Sequence, residues 1–278
     1  MSSPATPTPP GRRPVRADGD ITVVLVHGAF ADASSWSGVI ATLQERGHTV
    51  VAPSNPLRGL IADTSYTASV VSQIDGPVLM VGHSYGGAVI TNAATTAPNV
   101  VGLVYVAAFA PDEGEVLGAV EGGSKDSVLN SALVPRQYPT GQAGQTATEF
   151  GIDPAQLHDV FAADLPPHQA AVLAATQRPV AEAAFTDVSG APAWKRLPSW
   201  AVVATGDRAA GTDVVRSMAQ RAGAQIVELE GSHVIMISRP DAVADVIVAA
   251  LETVATSADL PLPRRPEAVE AERTTAAP

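Results

Sequence analysis

No cysteine occurs in the sequence. This absence excludes a disulfide framework, a thiolate metal site and an enzyme with a cysteine nucleophile. The chain also lacks an unbroken apolar stretch of about 18 residues, which a membrane-spanning helix would need, so we expect no membrane partner. Positive charge is scarce, because 28 acidic residues outnumber 17 basic ones and give a formal net charge of −11. Without a basic stripe, nucleic acid is not an expected partner either.

The apolar content is ample for one large core. With 278 residues, 46% of them hydrophobic, the chain should form one domain with a smaller insertion. Residues 1–20 are rich in proline and arginine with no apolar run after the arginines, which predicts a disordered leader and not a signal peptide. Residues 257–278 have the composition of a disordered tail. Without an export signal, we expect a cytoplasmic protein.

Short apolar runs alternate with helical patterns over residues 21–110 and 198–256. This order predicts a mostly parallel sheet with helices on both faces. Residues 111–197 instead contain Gly-, Pro- and Gln-rich loops and short Ala-rich helical pieces without an obvious strand. This segment is too long for a connecting loop, so we predict a helical lid inserted over the carboxyl edge of the sheet. For any one of its apolar residues, packing in the core of the lid is the better explanation than lining a pocket. The candidates for lining a pocket are Leu129, Leu133, Phe150, Leu157, Phe161, Leu173 and Trp194.

The stretch Gly-His-Ser-Tyr-Gly-Gly at residues 82–87 lies between a predicted strand (77–81) and a predicted helix (88–94). A serine on such a sharp turn presents its hydroxyl at the sheet edge, and glycines two residues to either side avoid a Cβ clash. Gly-x-Ser-x-Gly also occurs by chance as an ordinary turn. The strand before it and the helix after it therefore carry the prediction that Ser84 is a nucleophile.

Two polar residues follow later predicted strands. Asp207 comes after the strand at 200–205, and His233 comes after the strand at 225–229. Because parallel strands end at a common edge, both side chains should approach Ser84. A histidine can accept the serine proton near neutral pH, and a carboxylate fixes the imidazole tautomer. The order serine, acid, histidine along the chain is that of the α/β-hydrolases.

Asp112 is a second candidate for the acid. It follows the predicted strand at 100–107, from which some hydrolases take their carboxylate. Its other role would be to cap the first helix of the lid, and we favour that role. We therefore predict Asp207 as the acid and keep Asp112 as the alternative.

Acyl-transfer chemistry needs N–H donors for a developing oxyanion at the same edge. One usually belongs to the residue after the nucleophile, here Tyr85, and the other to the loop after the first strand, here Ala29. That strand ends in His27-Gly28. We expect His27 to be a buried strand-end histidine and not a site residue.

Three stretches can be compared with a known family. They are Val-Val-Leu-Val-His-Gly-Ala at 23–29 with Trp36, the 82–87 stretch, and Glu-Gly-Ser-His at 230–233 with Met236, Ser238 and Pro240. Together they resemble the α/β-hydrolase superfamily, in particular the branch of plant methylesterases and hydroxynitrile lyases and their bacterial esterase-like relatives. Over residues 20–255 the resemblance implies the α/β-hydrolase fold. The roles that it implies are nucleophile for Ser84, acid for Asp207, base for His233 and oxyanion donors for Ala29 and Tyr85.

The hydroxynitrile lyases of that branch carry a threonine where this chain has Gly28 and a lysine where it has Val234. A lyase that handles cyanide needs a cation near the leaving group, so the resemblance favours hydrolysis. We predict a cofactor-free and metal-free serine hydrolase that cleaves small-molecule carboxylic esters, or lactones, of small apolar acids. Two alternatives stay open: a lyase or acyl transferase with the same triad, and a non-catalytic ligand-binding protein on the hydrolase scaffold.

Overall fold

The computed structural model describes residues 21–257. The predicted leader lies outside the described residues, and so does the predicted tail apart from Ser257, which ends the last helix. Within the described part of the chain, no helix combines the length and the apolar character that crossing a bilayer requires.

Nine strands form two sheets in the described residues. The larger sheet has six strands, all paired in parallel, and the smaller one has three antiparallel strands. In chain order the strands are β1 (Thr22–Val26), β2 (Val50–Val51), β3 (Val78–His83), β4 (Val100–Val106), β5 (Leu133–Pro139), β6 (Thr146–Ile152), β7 (Val180–Ala181), β8 (Ser199–Ala204) and β9 (Gln225–Leu229).

The six-stranded sheet has the order β2-β1-β3-β4-β8-β9. All residues of β1, β3 and β8 are buried, which explains why their sequences are continuously apolar instead of alternating. The register aligns the strand ends, because Val26 pairs with Gly82, His83 with Val106, and Val106 with Val202. The loops after these strands therefore leave the sheet side by side at its carboxyl edge.

Helices cover the sheet, as predicted. The ten α-helices of the described residues are α1 (Ser37–Glu45), α2 (Leu60–Ser72), α3 (Tyr85–Ala93), α4 (Leu117–Gly122), α5 (Leu157–Phe161), α6 (Pro167–Thr176), α7 (Ala183–Thr186), α8 (Thr212–Arg221), α9 (Ile235–Ser238) and α10 (Pro240–Ser257). The helix α1 packs against α10, where Arg46 pairs with Asp245 at 2.7 Å, and α2 packs against α3.

The insertion between β4 and β8 requires a correction. It contains four short helices, of which α5 and α6 were predicted, but also the small sheet β5-β6-β7, so the expectation of a helical segment without strands was wrong. Pro135 and Pro139 interrupt β5, and most of that strand is exposed. Local composition therefore did not indicate a strand. Pairing with β6 across the turn at 140–145 stabilises it instead.

Candidate active site

Ser84 lies at the turn between β3 and α3, as predicted. Its backbone adopts φ 53° and ψ −126°, a conformation that non-glycine residues rarely adopt. The carbonyl of Ser84 accepts hydrogen bonds from the amides of Gly87 (2.9 Å) and Phe109 (3.2 Å), and its amide donates to the carbonyl of Val106 (3.3 Å). Neighbouring backbone thus holds the strained turn in place.

Two glycines make this turn possible. A Cβ at Gly82 would lie 2.6 Å from the carbonyl oxygen of Gly86. A Cβ at Gly86 would lie 2.4 Å from the carbonyl oxygen of Val26. Both contacts are with backbone atoms that cannot rotate away, so any side chain at either position would displace Ser84 or strand β1.

Asp207 and His233 form a buried pair. The Nδ1 atom of His233 lies 2.8 Å from Oδ2 of Asp207, and each residue is about 1% exposed. The other carboxylate oxygen, Oδ1, accepts hydrogen bonds from the amides of Ala209 (2.9 Å) and Ala210 (3.0 Å). An ionised Asp207 accepts the Nδ1–H of His233 through Oδ2, as it accepts the two amides through Oδ1. Nε2 of His233 is left free to accept a proton.

Asp112, the alternative acid, lies elsewhere. Its Oδ1 is 2.5 Å from Nζ of Lys195, and that hydrogen bond is the main cause that lowers the pKa of the Asp112 carboxyl. The same oxygen accepts from the amide of Glu113. The predicted cap is also wrong, because helix α4 has Val116 at its N-cap without a side-chain bond. Asp112 instead stabilises the turn before α4.

A narrow cavity is lined by four of the five predicted site residues. Its walls include Ser84, His233, Ala29 and Tyr85, and Ser84 itself is only 6% exposed. The insertion covers it, since the ring of Phe161 lies 5.0 Å from that of His233. Of the seven proposed lining residues of the insertion, only Leu129 and Phe161 are among the walls.

The family follows from a comparison with known proteins. A profile described as the alpha/beta hydrolase family matches residues 23–246, which is most of the chain. The chain belongs to the alpha/beta hydrolase family. Within the part of the chain that the structure describes, no cluster of three or more His, Asp or Glu side chains could hold a metal ion.

Curated relatives are similar to this chain over part of their own length. A carbendazim hydrolyzing esterase from Nocardioides sp. (strain SG-4G) is 36% identical over 110 residues, which cover 35% of this chain and 46% of that protein. Methylesterase 2 from Arabidopsis thaliana is 28% identical over 161 residues, which cover 52% of this chain and 58% of that protein. The chain therefore aligns with about half the length of each.

Solved structures match this chain over most of its length. A pyrethroid hydrolase from Sphingobium faniae JZ-2 superimposes with a TM-score of 0.69 at 22% sequence identity. The match covers 85% of this chain and 99% of that one. At this level of identity, the likeness establishes the fold alone.

His83 is a residue that sequence reasoning did not single out. Its Nε2 lies 3.0 Å from the backbone carbonyl of His233, and because a carbonyl only accepts, Nε2–H is the donor. The two imidazole rings are 4.7 Å apart. Burial, with the neighbouring His233 as a smaller cause, lowers the pKa of His83 well below 6.5. A neutral His83 thus holds the loop that carries His233.

His27 is buried at the end of β1, as predicted, and its tautomer is fixed. The amide of Asn55 donates to Nε2 at 2.9 Å, so Nδ1 carries the proton and donates to the carbonyl of Gly28 at 2.9 Å. Burial is the largest cause that lowers the pKa of His27 from 6.5 to about 4.

These two neutral histidines should make the protein less stable in acid. Between pH 6.5 and about 4, the unfolded chain binds a proton at His27 that the folded protein does not bind. The free energy of unfolding should therefore fall as the pH falls through this window, by about 3 kcal/mol for His27 alone. Urea unfolding at several pH values measures it. The matched variant His27→Gln should show a shallower slope, whereas parallel profiles for the two proteins would contradict this account.

Proposed function

We propose that this alpha/beta hydrolase cleaves carboxylic esters, lactones included, of small apolar acids through an acyl-enzyme on Ser84. The observation that carries the proposal is the buried pair of Asp207 and His233, because His233 lines the same narrow cavity as a serine on a strained strand-to-helix turn. The names of the relatives, an esterase and a methylesterase, support the same reaction. The mechanism requires no cofactor.

Each step has a residue of suitable chemistry. The hydroxyl of Ser84 attacks the ester carbonyl while Nε2 of His233 takes its proton. The amides of Ala29 and Tyr85 stabilise the oxyanion, and the Asp207 carboxylate stabilises the imidazolium. The imidazolium then protonates the leaving alcohol. Water, deprotonated in turn by His233, attacks the acyl-enzyme and releases the acid and a free Ser84.

The proposed amide donor of Ala29 belongs to a peptide unit that is held from its other side. The carbonyl of that unit is the Gly28 carbonyl, which accepts the Nδ1 proton of His27. In a trans peptide the carbonyl and the N–H point in opposite directions, so this bond also fixes where the Ala29 N–H points. Asn55 anchors His27 twice, through its backbone and its side-chain amide.

The second proposed donor, the amide of Tyr85, is braced through its side chain. The phenol donates to Oδ2 of Asp63 at 2.7 Å, and both residues are buried. The amide of Arg58 donates to the same carboxylate at 3.0 and 3.2 Å. Burial is the largest cause that raises the pKa of Tyr85 well above 10, so the hydroxyl keeps its proton. The segment 55–63 therefore holds both proposed oxyanion donors.

Tyr85→Phe should lower kcat about tenfold with little change in KM, because a loosely aimed amide loses its advantage in the transition state. Steady-state kinetics on one ester measures both constants. Tyr66→Phe is the matched control, since Tyr66 is 44% exposed on the neighbouring helix α2 and should behave like the wild type. An unchanged kcat in Tyr85→Phe would show that the hydrogen bond between Tyr85 and Asp63 does not orient the proposed amide donor.

Position 28 favours hydrolysis over the lyase alternative. A Cβ at Gly28 would lie 2.6 Å from Cβ of Ser84, so the threonine of the hydroxynitrile lyases would force the serine to move. The residue after His233 is Val234, which is buried and supplies no cation for a leaving cyanide.

A series of p-nitrophenyl esters from acetate to decanoate tests the proposal. We expect saturable hydrolysis that favours short acyl chains, because the cavity is small. Product analysis with an added alcohol separates hydrolysis from acyl transfer. If the folded protein hydrolyses no ester above background but is stabilised thermally by one of them, it is a binding protein and the proposal is wrong.

A further inference from the structure

One carboxyl side chain in the wall of the cavity beside Ser84 has no role in the proposed mechanism. Glu121, in the last turn of α4, lines the cavity together with Ser84 and His233 and is only 6% exposed. Within residues 21–257 it takes part in no ion pair. Burying a carboxylate without a cation costs free energy unless hydrogen bonds compensate fully.

The hydrogen bonds to Glu121 come from neutral groups. Nδ2 of Asn130 donates to Oε2 at 2.6 Å. Oγ of Ser127 lies 2.5 Å from Oε1, but it also lies 2.6 Å from the carbonyl of Ala209. The one hydroxyl proton faces both acceptors, so Oε1 keeps lone-pair capacity for a further donor. A ligand with a positively charged N–H group would supply that donor and a counter-charge.

The other walls suit the same kind of ligand. Aromatic rings attract cations through their faces, and they also take up hydrocarbon. The chain's net charge of −11 favours a cation over an anion in the cavity. The rings that line it belong to Phe30, Phe109, Phe161 and Phe185.

We propose that Glu121 binds an ammonium group of the substrate, so that the preferred esters are apolar acyl chains that carry one positively charged nitrogen. The inference rests on the proposed ester hydrolysis and refines its substrate class. The phenylalanine rings hold the hydrocarbon, and the carboxylate of Glu121 fixes how far the ester carbonyl reaches toward Ser84. Glu121 is thus a specificity residue and takes no part in bond breaking.

Matched esters test the inference. Methyl ω-(dimethylamino)alkanoates with two to four methylene groups are compared at pH 7 with the uncharged esters in which an isopropyl group replaces the dimethylammonium group. At one chain length we expect kcat/KM to be higher for the charged ester, by on the order of tenfold. Glu121→Gln should lower kcat/KM more for the charged ester than for the uncharged one, and so abolish this preference. The control Glu113→Gln, at an exposed position, should leave the preference intact.

A second variant at the same position tests the distance between the carboxyl group and the ester. Glu121→Asp keeps the charge but shortens the side chain, so the preferred ester should become one methylene longer. Equal losses for charged and uncharged esters in Glu121→Gln, or no preference in the wild type, would overturn the inference.

Binding separates this inference from the proposed function. Calorimetry with butyldimethylammonium and the variant Ser84→Ala should show binding that the added change Glu121→Gln weakens by on the order of tenfold. Such binding without hydrolysis of any ester would leave the ammonium site standing and reject the hydrolase proposal. Hydrolysis of esters, with binding that Glu121→Gln does not weaken, would reject the ammonium site and leave the hydrolase proposal standing.

Discussion

Replacement of Ser84 by alanine should lower kcat by on the order of 10⁶-fold, since its hydroxyl oxygen is the proposed nucleophile. The substitution removes only that oxygen. Alanine has the same Cβ as serine, so the backbone at φ 53° carries no additional strain and the surrounding hydrogen bonds to Gly87, Phe109 and Val106 remain. Ester binding should therefore persist, and calorimetry with a slowly hydrolysed ester together with kcat measurements separates binding from turnover.

Ser131→Ala provides the control for Ser84→Ala. Ser131 lies on the exposed side of the insertion, where its hydroxyl bonds only to the carbonyl of Val128. We expect wild-type activity from this variant. If Ser84→Ala kept activity within about tenfold of the wild type, Ser84 would not be the nucleophile and the acyl-enzyme mechanism would be wrong.

Asp207→Asn should lower kcat by on the order of 10⁴-fold through the tautomer of His233. The amides of Ala209 and Ala210 donate to Oδ1 of Asp207, so they will select the oxygen of the new side-chain amide at that place. Its NH₂ group then faces Nδ1 of His233, at the position of the present 2.8 Å contact. That nitrogen must become an acceptor, which moves the histidine proton to Nε2 and removes the base.

Asp112→Asn is the matched control for Asp207→Asn. Asp112 pairs with Lys195 on the surface, so its amide variant should keep wild-type kcat. Kinetics of both variants, with circular dichroism to verify folding, decides between the two acids. An active Asp207→Asn beside an inactive Asp112→Asn would transfer the role to Asp112.

Local patterns predicted the sheet and the position of Ser84. The apolar runs of β1, β3 and β8 are continuous because both faces of these strands are buried, and such runs are recognisable without knowledge of their neighbours. The glycines at 82 and 86 are explained by close backbone contacts within the same turn and the adjoining strand. Because these contacts are mostly local, the two glycines on either side of Ser84 could be recognised from the sequence.

The sequence could not decide features that depend on distant partners. The strands β5 and β6 escaped prediction because prolines and polar residues hide the pattern, and only the hairpin pairing reveals it. Nothing in the sequence around Asp63 indicates a role, because its hydrogen bond with Tyr85 forms only in the folded protein. Glu121 belongs to a short helix with no motif, and only the packing of the insertion on the sheet brings it to the cavity.

The sequence by itself determined the order of strands and helices in the core and the turn that carries Ser84, because short-range backbone sterics and hydrophobic periodicity encode them. The family was indicated by the resemblance of three sequence stretches to known members. Between the two candidate acids the sequence favoured Asp207 without a physical contact to support the choice. Tertiary structure supplied that contact, because the approach of β9 to β8 brings the loop of His233 onto the loop of Asp207. The two side chains are 26 residues apart, and only folding puts them within hydrogen-bond distance.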